Sequence, residues 1–189
     1  MLTENEKELL RGIVRRALET AVRGGEFTPD APSKTEYPAL HAACGCFVTY
    51  KTVGELRGCI GCFVARQPLY LTVAEYARAS ALEDPRFADN RLRPAELAQV
   101  AFDISVLSPL QKCVAPEKIV LGRDGIYVTA AGRSGCFLPQ VATETGWSVE
   151  EFWGSCCAHK AGLPYDFWKN PAAELYTFTA EVVEGKYEQ

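Results

Sequence analysis

The densest chemistry in the chain lies between Glu55 and Cys62, where Cys59 sits between Gly58 and Gly61 with Arg57 and Glu55 just upstream. A thiolate is the nucleophilic form of cysteine, and a neighbouring guanidinium favours it. Glu55 is then placed to orient Arg57 or to move a proton. If the segment is extended, Glu55, Arg57 and Cys59 fall on one face, about 6 to 7 Å apart in succession, with Leu56 and Ile60 turned into the core. Glycine leaves the backbone bare, so Gly58 and Gly61 would let a ligand or another strand come close to Cys59. The competing reading is a small thiol packed tightly between glycines.

Two further arrangements bear on the same thiol. Cys44 with Cys46, and Cys59 with Cys62, form a CxC and a CxxC that together resemble a four-thiolate metal site. A CxxC pair chelates from a turn, however, and within a strand its members point to opposite faces. No metal ligand is therefore assigned, and scattered buried cysteines are the favoured reading of the set. The usual partner of a nucleophilic cysteine is histidine. The chain has two, His41 just before the first strand and His159 late in the last helix, and neither is close to Cys59 in sequence.

Asp84-Pro85-Arg86-Phe87 places an acid and a base around a helix-ending proline. It is either a salt bridge that fixes the loop or, through Arg86, an anion clamp beside the thiol. Gln140, after Leu138 and Pro139, is placed to bond a backbone turn or a ligand. No phosphate loop, dinucleotide fingerprint or zinc-protease motif occurs, and no cofactor is expected.

The elements that must position these residues follow from periodicity. Thr3 and Glu6 make a capping box for an amphipathic helix that Gly24 and Gly25 end. Residues 26–43, with three prolines, form an irregular connection. Cys46 to Tyr50 and the Glu55 segment form a hairpin about Val53 and Gly54. A helix runs from Gln67-Pro68 to Asp84, a short helical turn covers Pro94 to Leu97, and Val100 to Val106 alternates as a strand. A hairpin is expected from Ile119 to Thr129 across Gly122 and Gly125, and a turn between Gly132 and Gly135. Ser148 and Glu151 cap a helix that Gly162 ends, and Leu175 to Val183 reads as one closing strand. Helices and hairpins are intermixed, which predicts an α+β fold with a largely antiparallel sheet.

Bulk properties narrow the function classes. The 189 residues suit one domain whose core needs no disulfide, and the net charge of -4 argues against nucleic-acid binding. No apolar run is long enough to cross a membrane and no leader pattern opens the chain, so a cytoplasmic protein is expected.

The hexapeptide Leu56-Arg57-Gly58-Cys59-Ile60-Gly61 resembles the signature of the AMMECR domain family, whose prokaryotic members are called AmmeMemoRadiSam system protein A. Phe47-Val48-Thr49, Asp84-Pro85-Arg86-Phe87, Ser105-Val106-Leu107, Phe137-Leu138-Pro139-Gln140-Val141, Gly146-Trp147 and Lys160-Ala161-Gly162-Leu163 look like its other blocks, in order. The resemblance implies a single AMMECR-type domain over 1–189, made of a larger and a smaller lobe with a cleft between them. The smaller lobe is expected around residues 45–97. It also implies partners, a Memo-like protein and a radical S-adenosylmethionine protein. The motif positions it carries over are Glu55, Arg57, Cys59, Asp84, Arg86 and Gln140, whereas both histidines, Cys44 and Cys62 fall outside them. Two functions follow as expectations. One is an enzyme using Cys59 as nucleophile or acid/base on a small molecule; the other is a non-catalytic binding or adaptor module for the two partners.

Overall fold

The computed structural model describes residues 1–188. Its architecture is α+β, with two four-stranded sheets whose strand orders are β2-β1-β3-β8 and β4-β7-β5-β6. The strands are β1 (Cys46–Thr52), β2 (Glu55–Cys62), β3 (Val100–Leu107), β4 (Gln111–Lys112), β5 (Gly125–Ala130), β6 (Arg133–Phe137), β7 (Glu174–Phe178) and β8 (Ala180–Lys186). The helices are α1 (Glu4–Val22), α2 (Leu69–Leu82), α3 (Pro139–Thr145) and α4 (Val149–Ser155). The chain divides into two compact units, one holding Met1–Leu107 with the segment from Glu181 onward, the other Ser108–Ala180. Residues 45–97, expected in the smaller lobe, fall within the larger of these units.

In the first unit α1 starts as its sequence dictates. Thr3 Oγ1 accepts from the Glu6 N–H, while the Glu6 carboxylate accepts from the Thr3 N–H and from Ala39 N–H, which ties down the proline-rich connection. Gly24 (φ 79°) ends the helix. Leu10, Val14 and Leu18 of α1 and Leu69, Val73 and Ala77 of α2 are buried with Val48, Tyr50, Phe102 and Ile104 of the sheet. Burying each of the leucine, valine, isoleucine and phenylalanine side chains contributes about 1.5 to 3 kcal/mol. Tyr50 is wholly enclosed, and its hydroxyl donates to the Ala77 carbonyl of α2 (3.1 Å).

The hairpin β1–β2 turns on Val53 (φ 52°) and Gly54 (φ 83°), both left-handed, as a two-residue hairpin loop requires. Gly54 adopts this freely, whereas Val53 is β-branched and holds it at a cost. The register pairs Thr52 with Glu55 and Lys51 with Leu56, then slips so that Tyr50 pairs with Gly58 and Thr49 with Cys59. Arg57 is the extra residue of a β-bulge.

In the second unit, Ile126, Val128, Phe137, Phe152, Trp153 and Cys156 form a separate core. Its hairpin differs from expectation. Residues 119–124 do not form a strand, because the Asp124 carboxylate accepts from Val120 N–H and closes a turn there. The hairpin instead joins β5 to β6 through Ala131 and Gly132, with Gly135 inside β6 rather than in a turn. The closing strand is also two: β7 lies in the second sheet and β8 in the first, with the change at Thr179. The expected helix from Ser148 to Gly162 is α4 followed by a π-helical turn, Cys156–Ala161.

Candidate functional site

The bulge at Arg57 decides what surrounds Cys59. Directly paired residues of an antiparallel ladder share a face. Tyr50 points to α2, so Gly58 does too, whereas Thr49 and Cys59 point to the opposite face. The Thr49 hydroxyl donates to the Cys59 sulfur at 3.1 Å. Asp103 of β3 is the partner of Thr49 on its other side, so Cys59, Thr49 and Asp103 form one row across three strands. Lys51, two residues along β1, pairs with the Asp103 carboxylate (2.9 Å).

The backbone of Cys59 is held from the outside, since β2 is an edge strand. Its N–H donates to Asp84 Oδ2 (2.9 Å), and its carbonyl accepts from Arg86 Nη2 (3.1 Å). Asp84 is almost fully buried and also accepts from the Arg86 backbone N–H, Nε and Nη2. These charge-assisted bonds, the Arg86 side chain first, hold the Asp84 carboxyl below the usual carboxylate range despite burial. Arg86 is raised in turn, chiefly by Asp84, with a smaller contribution from the Cys59 thiol beside it. The guanidinium remains half exposed. One step along β2, the Ser80 hydroxyl of α2 donates to the Val48 carbonyl (2.7 Å) and accepts from the Ile60 N–H (2.8 Å), stitching α2 to both strands.

The chemistry available at this point is that of a partly exposed thiol with a hydroxyl donor at its sulfur and a cation alongside.

Residues 11–183 match the AMMECR1 family model. The chain belongs to the AMMECR1 family. It is 40% identical over 190 residues to a protein of Thermococcus gammatolerans, covering 95% of this chain and 90% of that one. It is 39% identical over 191 residues to protein MK0488 of Methanopyrus kandleri, covering 97% and 90%. The crystal structure of PH0010 from Pyrococcus horikoshii superposes with a TM-score of 0.85 at 36% identity, covering 96% of this chain and 92% of the other. The family match therefore takes in residues of both compact units, while the signature hexapeptide lies in the first.

Several residues expected around the AMMECR1 cysteine stand elsewhere, and the bulge is the reason. Arg57 does not share the Cys59 face. It is buried (7% exposed), with Nη1 donating to Glu96 Oε1 (2.5 Å) and Thr52 Oγ1 (3.0 Å) and Nη2 to the Asn90 carbonyl (3.3 Å). Glu96 is lowered by this bond first. Glu55 pairs with Thr52, on the face opposite Cys59, and is exposed. Leu56, expected in the core, lies on the Cys59 face and is partly exposed.

The bare backbone at Gly58 and Gly61 is taken up by the chain itself. A Cβ on Gly58 would lie 1.9 Å from the Ser80 carbonyl oxygen, and one on Gly61 would lie 2.1 Å from the Cys46 carbonyl oxygen. These glycines serve close packing of α2 and β1 on β2, not the approach of a ligand. Cys59 and Cys62 point to opposite faces, as the strand reading required, and Cys62 pairs with buried Cys46. His41 donates from Nε2 to the Pro32 carbonyl (2.9 Å) and packs on Tyr70. Gln140 lies in the second unit, in the first turn of α3, where its carbonyl accepts from Thr143 Oγ1 (2.8 Å).

Thr49 and Ser80 were not singled out from sequence. Thr49 stands in a strand whose residues all alternate, and only the register identifies it as the cysteine's partner. A two-residue turn with regular pairing would have placed Thr49 opposite Gly58.

Proposed function

We propose that this AMMECR1 domain is a cysteine-dependent enzyme acting on a small anionic molecule, with Cys59 as nucleophile or proton donor. The observation that carries the reading is the 3.1 Å bond from the Thr49 hydroxyl to the Cys59 sulfur, with the Arg86 guanidinium at the same residue. Arg86 takes the anion-clamp role that the sequence suggested for it, and also the place beside the thiol that was expected of Arg57. Asp84 fixes Arg86 through two contacts to its guanidinium and pins the cysteine backbone, so the thiol and the cation are held as one rigid set. On this reading the activity would serve a multi-component pathway, with a Memo-like protein and a radical S-adenosylmethionine protein as the partners that the family resemblance suggests.

The alternative, a binding module that adds a partner strand along β2, is disfavoured at Cys59. There Asp84 and Arg86 already occupy the outward N–H and carbonyl. The reading is tested with two alkylating agents of equal size and different charge, iodoacetate and iodoacetamide. The ratio of their rates at Cys59 is expected to favour iodoacetate by about tenfold more than it does for free cysteine, and Arg86→Gln should abolish that preference. A ratio equal to that of free cysteine would remove the anion-binding role.

A further inference from the structure

The opposite end of the same hairpin holds a second set of sulfur groups that the Cys59 site does not use. Cys62, the last residue of β2, is paired directly across from Cys46, the first residue of β1. In an antiparallel ladder such partners have Cα atoms about 4.5 to 5.5 Å apart, within the span that a disulfide bridges. Both thiols are free. Cys46 is completely enclosed, whereas Cys62 is half-buried and lines a cavity of about 430 Å³ with Arg66, Gln67, Glu75 and Tyr76. Tyr76 lines the same cavity as Cys62, and burial first raises its phenol. Glu75 accepts from Gln67 Nε2 (2.5 Å), and Arg66 stands exposed at the rim.

The layout is an accessible sulfur at the wall of a cavity, a second sulfur directly behind it, and a fixed carboxylate and a guanidinium on the same cavity. We infer that this cavity is a thiol–disulfide exchange site for a small zwitterionic disulfide. Cys62 is the attacking sulfur and Cys46 the resolving one, Arg66 receives a ligand carboxylate, and Glu75 a ligand ammonium group.

The exchange balances without a further oxidant. Cys62 Sγ attacks one sulfur of the ligand, the ligand S–S bond breaks, and the departing thiolate takes up the proton that Cys62 gives. Tyr76, on the same cavity, is raised by burial first and stays a neutral phenol throughout. Cys46 Sγ then attacks Cys62 Sγ, and the second ligand half leaves as a thiol with the Cys46 proton. In sum, two protein thiols and one ligand disulfide become one protein disulfide and two ligand thiols. Burial, followed by the charge of Cys62, raises the Cys46 thiol, so it stays protonated and does not compete for the first attack. The site lies outside the family signature and on the sheet face opposite Cys59, so it is independent of the function proposed above.

The test exposes the reduced, full-length chain to oxidised glutathione, cystine and the uncharged hydroxyethyl disulfide, followed by intact-mass and peptide mass spectrometry. The expected product is a Cys46–Cys62 crosslink with release of two thiols per chain. Either zwitterion should react about tenfold faster than the uncharged disulfide, and the faster of the two names the source. Cys46→Ala should stop the reaction at a mixed disulfide on Cys62. Arg66→Gln, an exposed change that leaves the fold intact, should slow the first step to the rate of the uncharged probe. Equal rates for all three disulfides would overturn the recognition site. A Cys62 that stays free while other thiols react, or a crosslink from Cys62 to Cys44, would overturn the assignment of the pair.

Discussion

Asp84 accepts the backbone N–H of Cys59 at 2.9 Å while its other bonds hold Arg86, so one nearly buried carboxylate fixes both the thiol's strand and the cation beside it. The carboxyl is depressed in the folded state, chiefly by Arg86. A depressed group contributes stability that is fully present above its unfolded value, about pH 4, and is lost as pH falls through the folded value. Urea unfolding followed from pH 7 down to pH 3 should therefore show stability falling below about pH 4, with Asp84→Asn flattening that limb. At neutral pH the same variant should lose about 2 kcal/mol.

Gly58 is required by the closeness of α2. A methyl group there would meet the Ser80 carbonyl at 1.9 Å, and that oxygen belongs to helix backbone, which does not yield like a flexible side chain. Gly58→Ala should cost about 3 kcal/mol or more in chemical denaturation, through displacement of α2 from β2. A loss below about 1 kcal/mol would mean that the strand relaxes outward.

Arg57 is expected to act on stability and not on the thiol. Its guanidinium joins Glu96, Thr52 and Asn90 beneath the bulge, away from the Cys59 face. Arg57→Met should lower stability by about 1 to 3 kcal/mol, because Thr52 and Glu96 lose a buried donor. The alkylation rate of Cys59 in the folded variant should stay within about twofold of the parent. A tenfold drop in that rate, with stability retained, would return Arg57 to the site.

How much of this was legible in the sequence depended on the range of the interactions. Capping boxes at Thr3 and Ser148, the stop at Gly24 and the alternation of β3 are local, and the structure has them. The α+β class follows from those elements. The faces of β2 were misread because a bulge is one extra residue with no composition signal of its own, and a shift of one residue moves every later side chain to the other face. Arg57 was thereby assigned to Cys59 and Thr49 overlooked. The break at Thr179 was equally hidden, since Leu175 to Val183 alternates without interruption and only the sheet partners differ. The motif Asp84-Pro85-Arg86 was readable as an ion pair, and its hold on the Cys59 backbone became visible only in three dimensions.

The central claim is that Thr49 and Arg86 make Cys59 a reactive thiol. The most direct measurement is the second-order rate of iodoacetamide with Cys59 near neutral pH, followed by peptide mass spectrometry in the folded protein and compared with free cysteine. The account predicts a rate at least about tenfold above free cysteine, falling several-fold in Thr49→Val with the fold unchanged. A Cys59 that reacts no faster than free cysteine, or a Thr49→Val protein that reacts as fast as the parent, would contradict it.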